Sequence, residues 1–197
     1  MKAILKQIVR AIFLMIAFPL GLLSGFGRLL PGFAFCTQAC SLIPGLPGEY
    51  LRGAFYRLTL RQCAADICIS FGTLFADPQT VVGSKVYIGA YSVIGRAVIG
   101  ERTQIASHVQ ILSGARQHLR DRNGSILGAE QGAFRAVTVG ADAWIGAAAI
   151  VMADVGARTT VGAGTVVTKA LPEDVVAAGN PAKVIRSRQQ ASDVTAS

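Results

Sequence analysis

Residues 139–168 read VGADAWIGAAAIVMADVGARTTVGAGTVVT. Val139-Gly140, Ile145-Gly146, Val155-Gly156 and Val161-Gly162 each open a six-residue unit, and Val151 and Val167 hold the beat without the glycine. An amphipathic helix repeats its apolar residues about every 3.6 positions and a half-buried strand every second one, so neither accounts for a period of six. One short strand plus one turn does, and that is the unit of a β-helix. The aliphatic residue is expected to point into the coil, and the residue after it to be small because the chain bends there.

The same beat runs upstream. Val82, Ile88 and Ile94 are each followed by glycine, and Ile99-Gly100, Ile105-Ala106 and Ile111 continue the series. The step from Ile94 to Ile99 is one residue short, and that from Val151 to Val155 two short.

The repeats lead into the ending VVTKALPEDVVAAGNPAKVIR, residues 166–186. Together they resemble the hexapeptide-repeat acyltransferase family and are similar to its sugar, galactoside and maltose O-acetyltransferases. The resemblance covers residues ~66 to 188. It implies an all-β fold, a left-handed parallel β-helix of triangular section with three units per coil. An N-terminal apolar, helical segment precedes the coils and a short C-terminal segment follows. The left hand comes from the resemblance alone, because crossovers elsewhere are right-handed. The expected division is 1–62 as anchor and amphipathic helix, 63–171 as β-helix with an excluded loop at 112–136, and 172–197 as terminal segment and tail.

The chain has 197 residues, 52% of them hydrophobic, and a net charge of +8. Residues 1–62 carry +6 of that, from seven bases against Glu49 alone. These bases flank aliphatic runs without interleaved exposed aromatics, so an acidic membrane surface is the expected partner and nucleic acid is not. Cys36, Cys40, Cys63 and Cys68 form no CxxC pair and have no histidine beside them, which argues against zinc and against a disulfide framework.

Residues 11–27 and 29–48 carry no charge, but Pro and Gly interrupt both runs. Three readings stand for this arm. A signal peptide would export an enzyme away from its donor. A spanning hairpin or in-plane anchor fits the flanking bases and leaves both ends cytoplasmic. A soluble arm would cover the open end of the coil. Residues 49–61 read as an amphipathic helix, with Leu51, Ala54, Phe55 and Leu58 on one face and Arg52, Arg57 and Arg61 off it.

Residues 112–136 break the repeat for longer than a turn needs, and loops of that length are usually functional. Acyl transfer to a hydroxyl needs a base for the acceptor's proton, and a neutral imidazole suits that at neutral pH. The chain has two histidines, His108 and His118. His118 lies in the excluded loop, as the family's catalytic histidine does, although the family's usual place falls closer to Arg116. Catalytic base and solvated loop residue therefore both remain open for His118. His108 sits at a coil turn and reads as an exposed corner. Two histidines do not make the three-histidine zinc site of hexapeptide carbonic anhydrases, so no metal is expected.

Acetyl-CoA is the implied donor. The resemblance carries its contacts onto Ala147 and Ala163, whose small side chains admit the thiol arm, and onto Thr168, Lys169, Lys183 and Arg186 for the phosphates. Ser113, Arg116 and Trp144 are the candidates on the acceptor side, and Ser113-Gly114 could also stabilise an oxyanion. The expected protein is a homotrimer, cytoplasmic and held at the cytoplasmic face of the inner membrane. It would move an acetyl group to a sugar hydroxyl of an envelope or exopolysaccharide precursor, such as a lipid-linked saccharide. A small soluble acceptor, or a non-catalytic β-helix scaffold, stands as the alternative.

Overall fold

The computed structural model describes residues 2–114, 119–128 and 134–187. Three helices come first, α1 (Lys2–Leu23), α2 (Leu30–Ser41) and α3 (Gly45–Thr59). Short strands follow on three faces. The first face holds Gln62–Cys63, Val81–Val82, Ala97–Ile99 and Val137–Val139. The second holds Cys68–Ile69, Tyr87–Ile88, Gln104–Ile105, Trp144–Ile145, Thr160–Val161, Val175–Ala178 and, antiparallel at its edge, Lys183–Ser187. The third holds Leu74–Phe75, Val93–Ile94, Gln110–Ile111, Ile150–Val151 and Val166–Val167. The chain steps from face to face and makes a β-solenoid of about six turns.

Most two-residue strands send their second residue inward, and Ala97–Ile99 and Val137–Val139 send in their first and last. Ile69, Phe75, Val82, Ile88, Ile94, Ile99, Ile105, Ile111, Val139, Ile145, Val151, Val155, Val161 and Val167 are each at most 2% exposed. Burying an aliphatic side chain of this size contributes ~1.5–3 kcal/mol, and this column is the core. Its numbering locates every irregularity of the repeat. From first face to second the step is always six, as in Val82 to Ile88 and Val155 to Val161; from second to third it is again six, as in Ile69 to Phe75 and Ile145 to Val151. From third back to first it varies. Phe75 to Val82 is seven, Ile94 to Ile99 five and Val151 to Val155 four, and Ile111 to Val139 carries the excluded loop. All length variation thus collects at one corner, between the third face and the first.

The reason for the glycine that follows many of the inward aliphatics differs from the one expected. A Cβ on Gly146 would lie 2.5 Å from the amide nitrogen of Ala163, and one on Gly140 2.4 Å from that of Ala157. Backbone of the next coil excludes the side chain, not the bend. The bend falls later, where Lys85, Arg102, Asp142 and Arg158 at one regular corner and Tyr91, His108, Ala148 and Gly164 at the other take φ between 56° and 66°.

Pro172 does not end the coil. Leu171 bridges to Val155, and Val175–Ala178 pairs in parallel with Thr160–Val161. The chain then folds back antiparallel through Lys183–Ser187, which covers the sheet edge.

At the other end, the helices cap the first turn. Tyr56 lies edge-on to Phe75 with ring centroids 4.5 Å apart, and its hydroxyl accepts the Phe75 amide at 3.3 Å and pairs with Thr37. Arg52 departs from the expected basic face and is fully buried. Its Nε donates to the Ile69 carbonyl at 2.9 Å and its Nη1 to those of Cys40 and Ile43 at 3.1 and 2.7 Å. The guanidinium therefore caps the carbonyl end of α2 and stitches two helices to the coil, where peptide dipoles replace water around the charge. Burial lowers its pKa. The arm is a cap with an apolar outer side, since α1 lies along α3 with Phe13 stacked 5.5 Å from Tyr50 and Ala17 fully buried. Helix α1 runs unbroken through Pro19, and Ile4–Leu23 is long and apolar enough to cross a membrane by length and composition. Ile4, Leu5, Ile8, Ile12, Met15, Ile16, Leu22 and Leu23 are exposed along it.

Candidate active site

The variable corner is where the loop leaves and returns. The ladder holds as far as Leu112, whose amide donates to the Val151 carbonyl at 2.9 Å. The Ser113 carbonyl then accepts the amide of Arg135 at 3.0 Å, so the loop closes at its own root. The Ser113 hydroxyl accepts the Arg96 amide at 2.8 Å, and the Arg96 carbonyl accepts the Val137 amide at 3.0 Å. Arg135 pairs with Asp154, whose other oxygen accepts the Thr138 amide at 2.9 Å. Within the loop, Leu119 and Leu127 close a small hairpin, and Asp121 caps its turn by accepting the amides of Asn123 and Ser125 at 2.8 and 2.9 Å.

Both roots open onto a cavity of about 840 Å³ between the arm and the coil. Phe26, Gly27, Arg28 and Leu30 line it from the arm, Thr59, Leu60 and Arg61 from the end of α3, and Ala76–Gln79, Arg96, Ser113 and Phe134 from the variable corner. Its size falls within the range of ~300–1,000 Å³ usual for small-molecule sites. Among the described residues Asp77 is its one carboxylate, and both oxygens are engaged, with Arg96 Nε at 2.8 Å and the Gln79 amide at 2.7 Å. Arg28 and Arg61 are exposed and make no ion pair among the described residues. Apart from Ser113, the cavity residues escaped the sequence reading. The signal available was the spacing, since every uneven step falls at this corner.

The structure divides the remaining candidates among three places. Thr168 and Lys169 are exposed at the variable corner, beyond the Val166–Val167 strand. Ala147 and Ala163 stack at the regular corner on the other edge of the third face, where the Gly164 amide donates to the Ala147 carbonyl at 2.8 Å. Trp144, 58% exposed, stands on the outer second face in one row with Thr160, Val176 and Arg186. Three strand spacings separate Trp144 from Arg186, roughly 14 Å. Lys183 opens the closing strand beside Ala178. Trp144 therefore does not join Ser113 in one chain. His118 and Arg116 lie outside the described residues, as does the tail beyond Ser187.

His108 is an exposed corner residue at φ 60°, stacked 5.2 Å from Tyr91 in the column that continues into Ala148 and Gly164. Gly114, beside Ser113 at the loop root, takes φ 86°. The cysteines are poor nucleophiles, because burial pushes the Cys63 thiol up to about 12 and that of Cys40 up to about 11. The other regular corner is occupied by its own charge ladder, with Arg102 on Asp142 at 2.7 Å and Arg158 on Asp174 at 2.6 Å.

No protein-family model matches the chain. It is 41% identical over 61 residues to a Saccharomyces cerevisiae protein named as an acetyltransferase, a stretch covering 30% of this chain and 31% of that one. It is 44% identical over 52 residues to the galactoside O-acetyltransferase of Escherichia coli, covering 25% of this chain and 26% of that one. The matched stretches thus span about a third or less of these relatives. In fold, a maltose O-acetyltransferase from Clostridium difficile 630 superposes with a TM-score of 0.64 at 22% identity, over 84% of this chain and 88% of that one. The N-acyltransferase AntD of Bacillus cereus, solved with dTDP-4-amino-4,6-dideoxyglucose and coenzyme A, superposes with a TM-score of 0.53 at 17% identity, over 68% and 80%. The chain has the β-solenoid of the left-handed β-helix acyltransferases, and its sequence relatives are named as acetyltransferases.

Proposed function

We propose that the protein moves an acetyl group from acetyl-CoA to a hydroxyl of a saccharide, an envelope or exopolysaccharide precursor, at the cytoplasmic face of the inner membrane. One observation carries the reading. The excluded loop is pinned at the variable corner, and its roots open onto a cavity walled on the far side by the apolar arm. Relatives named as acetyltransferases support the reaction class.

In this reading His118 is the base. Its neutral imidazole takes the proton of the acceptor hydroxyl as the oxygen attacks the thioester carbonyl. The tetrahedral adduct collapses with loss of the coenzyme thiolate, which takes the proton back from the imidazolium. Ser113 accepts one bond through its hydroxyl and retains a proton with which to donate. Ala147 and Ala163 give the pantetheine arm a close approach to backbone, and Thr168, Lys169, Lys183 and Arg186 meet the phosphates.

The donor alanines and the loop corner edge the third face on opposite sides, so one chain presents them apart. A homotrimer supplies what one chain lacks, with the loop of one protomer beside the small-residue corner of the next. The apolar outer side of α1 with Lys6, Arg10 and Arg57 fits an in-plane anchor on anionic lipid. The contact of α1 with α3 favours that over a span.

The test is label transfer from radioactive acetyl-CoA by the full-length protein, with and without saccharide extracted from membranes. Acceptor-dependent release of free coenzyme supports the proposal. Absence of both turnover and acetyl-CoA binding would leave a scaffold.

A further inference from the structure

The cavity joins two chemistries that a soluble sugar does not need. Toward the coil it is polar, with Gln79, Ser113 and the satisfied Asp77–Arg96 pair. Toward the arm it is apolar and continuous with exposed membrane-type surface, since Phe26, Leu29 and Leu30 are 39%, 57% and 61% exposed. Arg28 and Arg61 line the same cavity, without ion pairs among the described residues.

The wall on the arm side is strained. Gly25, Phe26 and Gly27 take φ of 55°, 52° and 83° in succession. Left-handed backbone at a bulky residue such as phenylalanine is a true outlier, and such outliers persist where surrounding structure holds them. Here the hold is visible. Phe18 meets Phe26 edge-on at 5.8 Å, and a Cβ on Gly27 would lie 2.2 Å from the Thr59 carbonyl oxygen. The kink is thereby clamped onto the end of α3, and Arg28, the next residue, lines the cavity.

We propose that this cavity is the acceptor site and that its ligand is a lipid-linked saccharide. The sugar lies toward Ser113 and the loop, the linking phosphate lies between Arg28 and Arg61, and the hydrocarbon leaves along Phe26, Leu29 and Leu30 into the bilayer. Two cations in one cavity that has both polar and apolar lining fit that order of groups, because phosphate is the part of such a molecule that must stay charged where hydrocarbon begins. The assignment rests on acetyl transfer being the reaction, and the two are tested separately.

Full-length protein in neutral detergent is titrated with farnesyl diphosphate, inorganic pyrophosphate and farnesol. Farnesyl diphosphate is expected to bind at least tenfold more tightly than either part. Arg28→Glu/Arg61→Glu is expected to lose at least tenfold of that affinity, while Lys85→Glu, a charge reversal at a regular corner, loses less than threefold. Acetyl-CoA binding, followed on the same samples, is expected to be unchanged in the double variant. Equal binding of farnesyl diphosphate by the double variant and the parent overturns the site. So does a parent protein that binds pyrophosphate alone as tightly. If the parent binds farnesyl diphosphate through these arginines but no acetyl-CoA, the phosphate-lipid contact stands, the transfer reaction fails, and the acceptor assignment falls with it.

Discussion

The carbonyl of Ser113 accepts the amide of Arg135 at 3.0 Å, so a long excursion leaves and rejoins the solenoid through one hydrogen bond. Ser113 also takes the Arg96 amide through its hydroxyl, and Arg135 holds Asp154 of the next coil. The loop can carry chemistry without loosening the coil, because its two ends behave as adjacent residues of a turn.

His118→Ala is expected to lower kcat by ~100- to 10,000-fold, the usual range for loss of a general base. Acetyl-CoA binding should persist, because the proposed donor contacts lie outside the loop. Calorimetric titration beside steady-state rates separates the two effects. Near-full turnover in the variant with the true acceptor would remove His118 from the mechanism.

Lys169→Ala and Arg186→Ala should show the opposite split. Each would remove a proposed charge-assisted phosphate contact, of ~1.5–3 kcal/mol, so the KM for acetyl-CoA is expected to rise about ten- to a hundredfold while kcat at saturation changes little. A fall in kcat with unaltered KM would place these residues away from the donor.

Two glycines one coil apart should respond differently. Gly146→Ala puts a Cβ 2.5 Å from the Ala163 nitrogen, in a backbone ladder that cannot yield locally. Gly164→Ala meets nothing within 4 Å and costs only its left-handed φ of 66°, ~1–2 kcal/mol. Ala148 already occupies the equivalent corner at φ 56°. Thermal melts should show the larger loss for Gly146→Ala, and equal losses would mean that coil stacking does not set the repeat.

Arg52→Met should detach the cap. The carbonyls of Cys40, Ile43 and Ile69 lose their donor in a buried place, at ~1–3 kcal/mol each where water does not replace it. Arg52→Lys should rescue poorly, because one ammonium does not reproduce the planar fork that reaches the coil and α2 together. Limited proteolysis between α2 and α3 reads the release, and a parent-like cleavage rate in Arg52→Met would show that the aromatic contacts suffice.

The period of six, the inward column and the place of the loop were all legible in the residues from Val82 to Val167, because each depends on sterics within one turn of chain. The short steps at Ile94–Ile99 and Val151–Val155 already marked the variable corner, although only the alignment of faces shows that they share it. The reason for Gly140 and Gly146 was not legible, since the amides they avoid, those of Ala157 and Ala163, belong to the next coil. Arg52 read as a base off the apolar face of its helix because helical periodicity registers polarity along one helix and not the carbonyls that α2 and the coil bring to it. The cavity lay further still from the sequence. Its walls come from residues near 28, 60, 78, 96, 113 and 134, each unremarkable beside its chain neighbours. Only the docking of the arm onto the open end of the coil, where Phe33, Phe55, Tyr56 and Phe75 bury their rings together, brings those walls face to face.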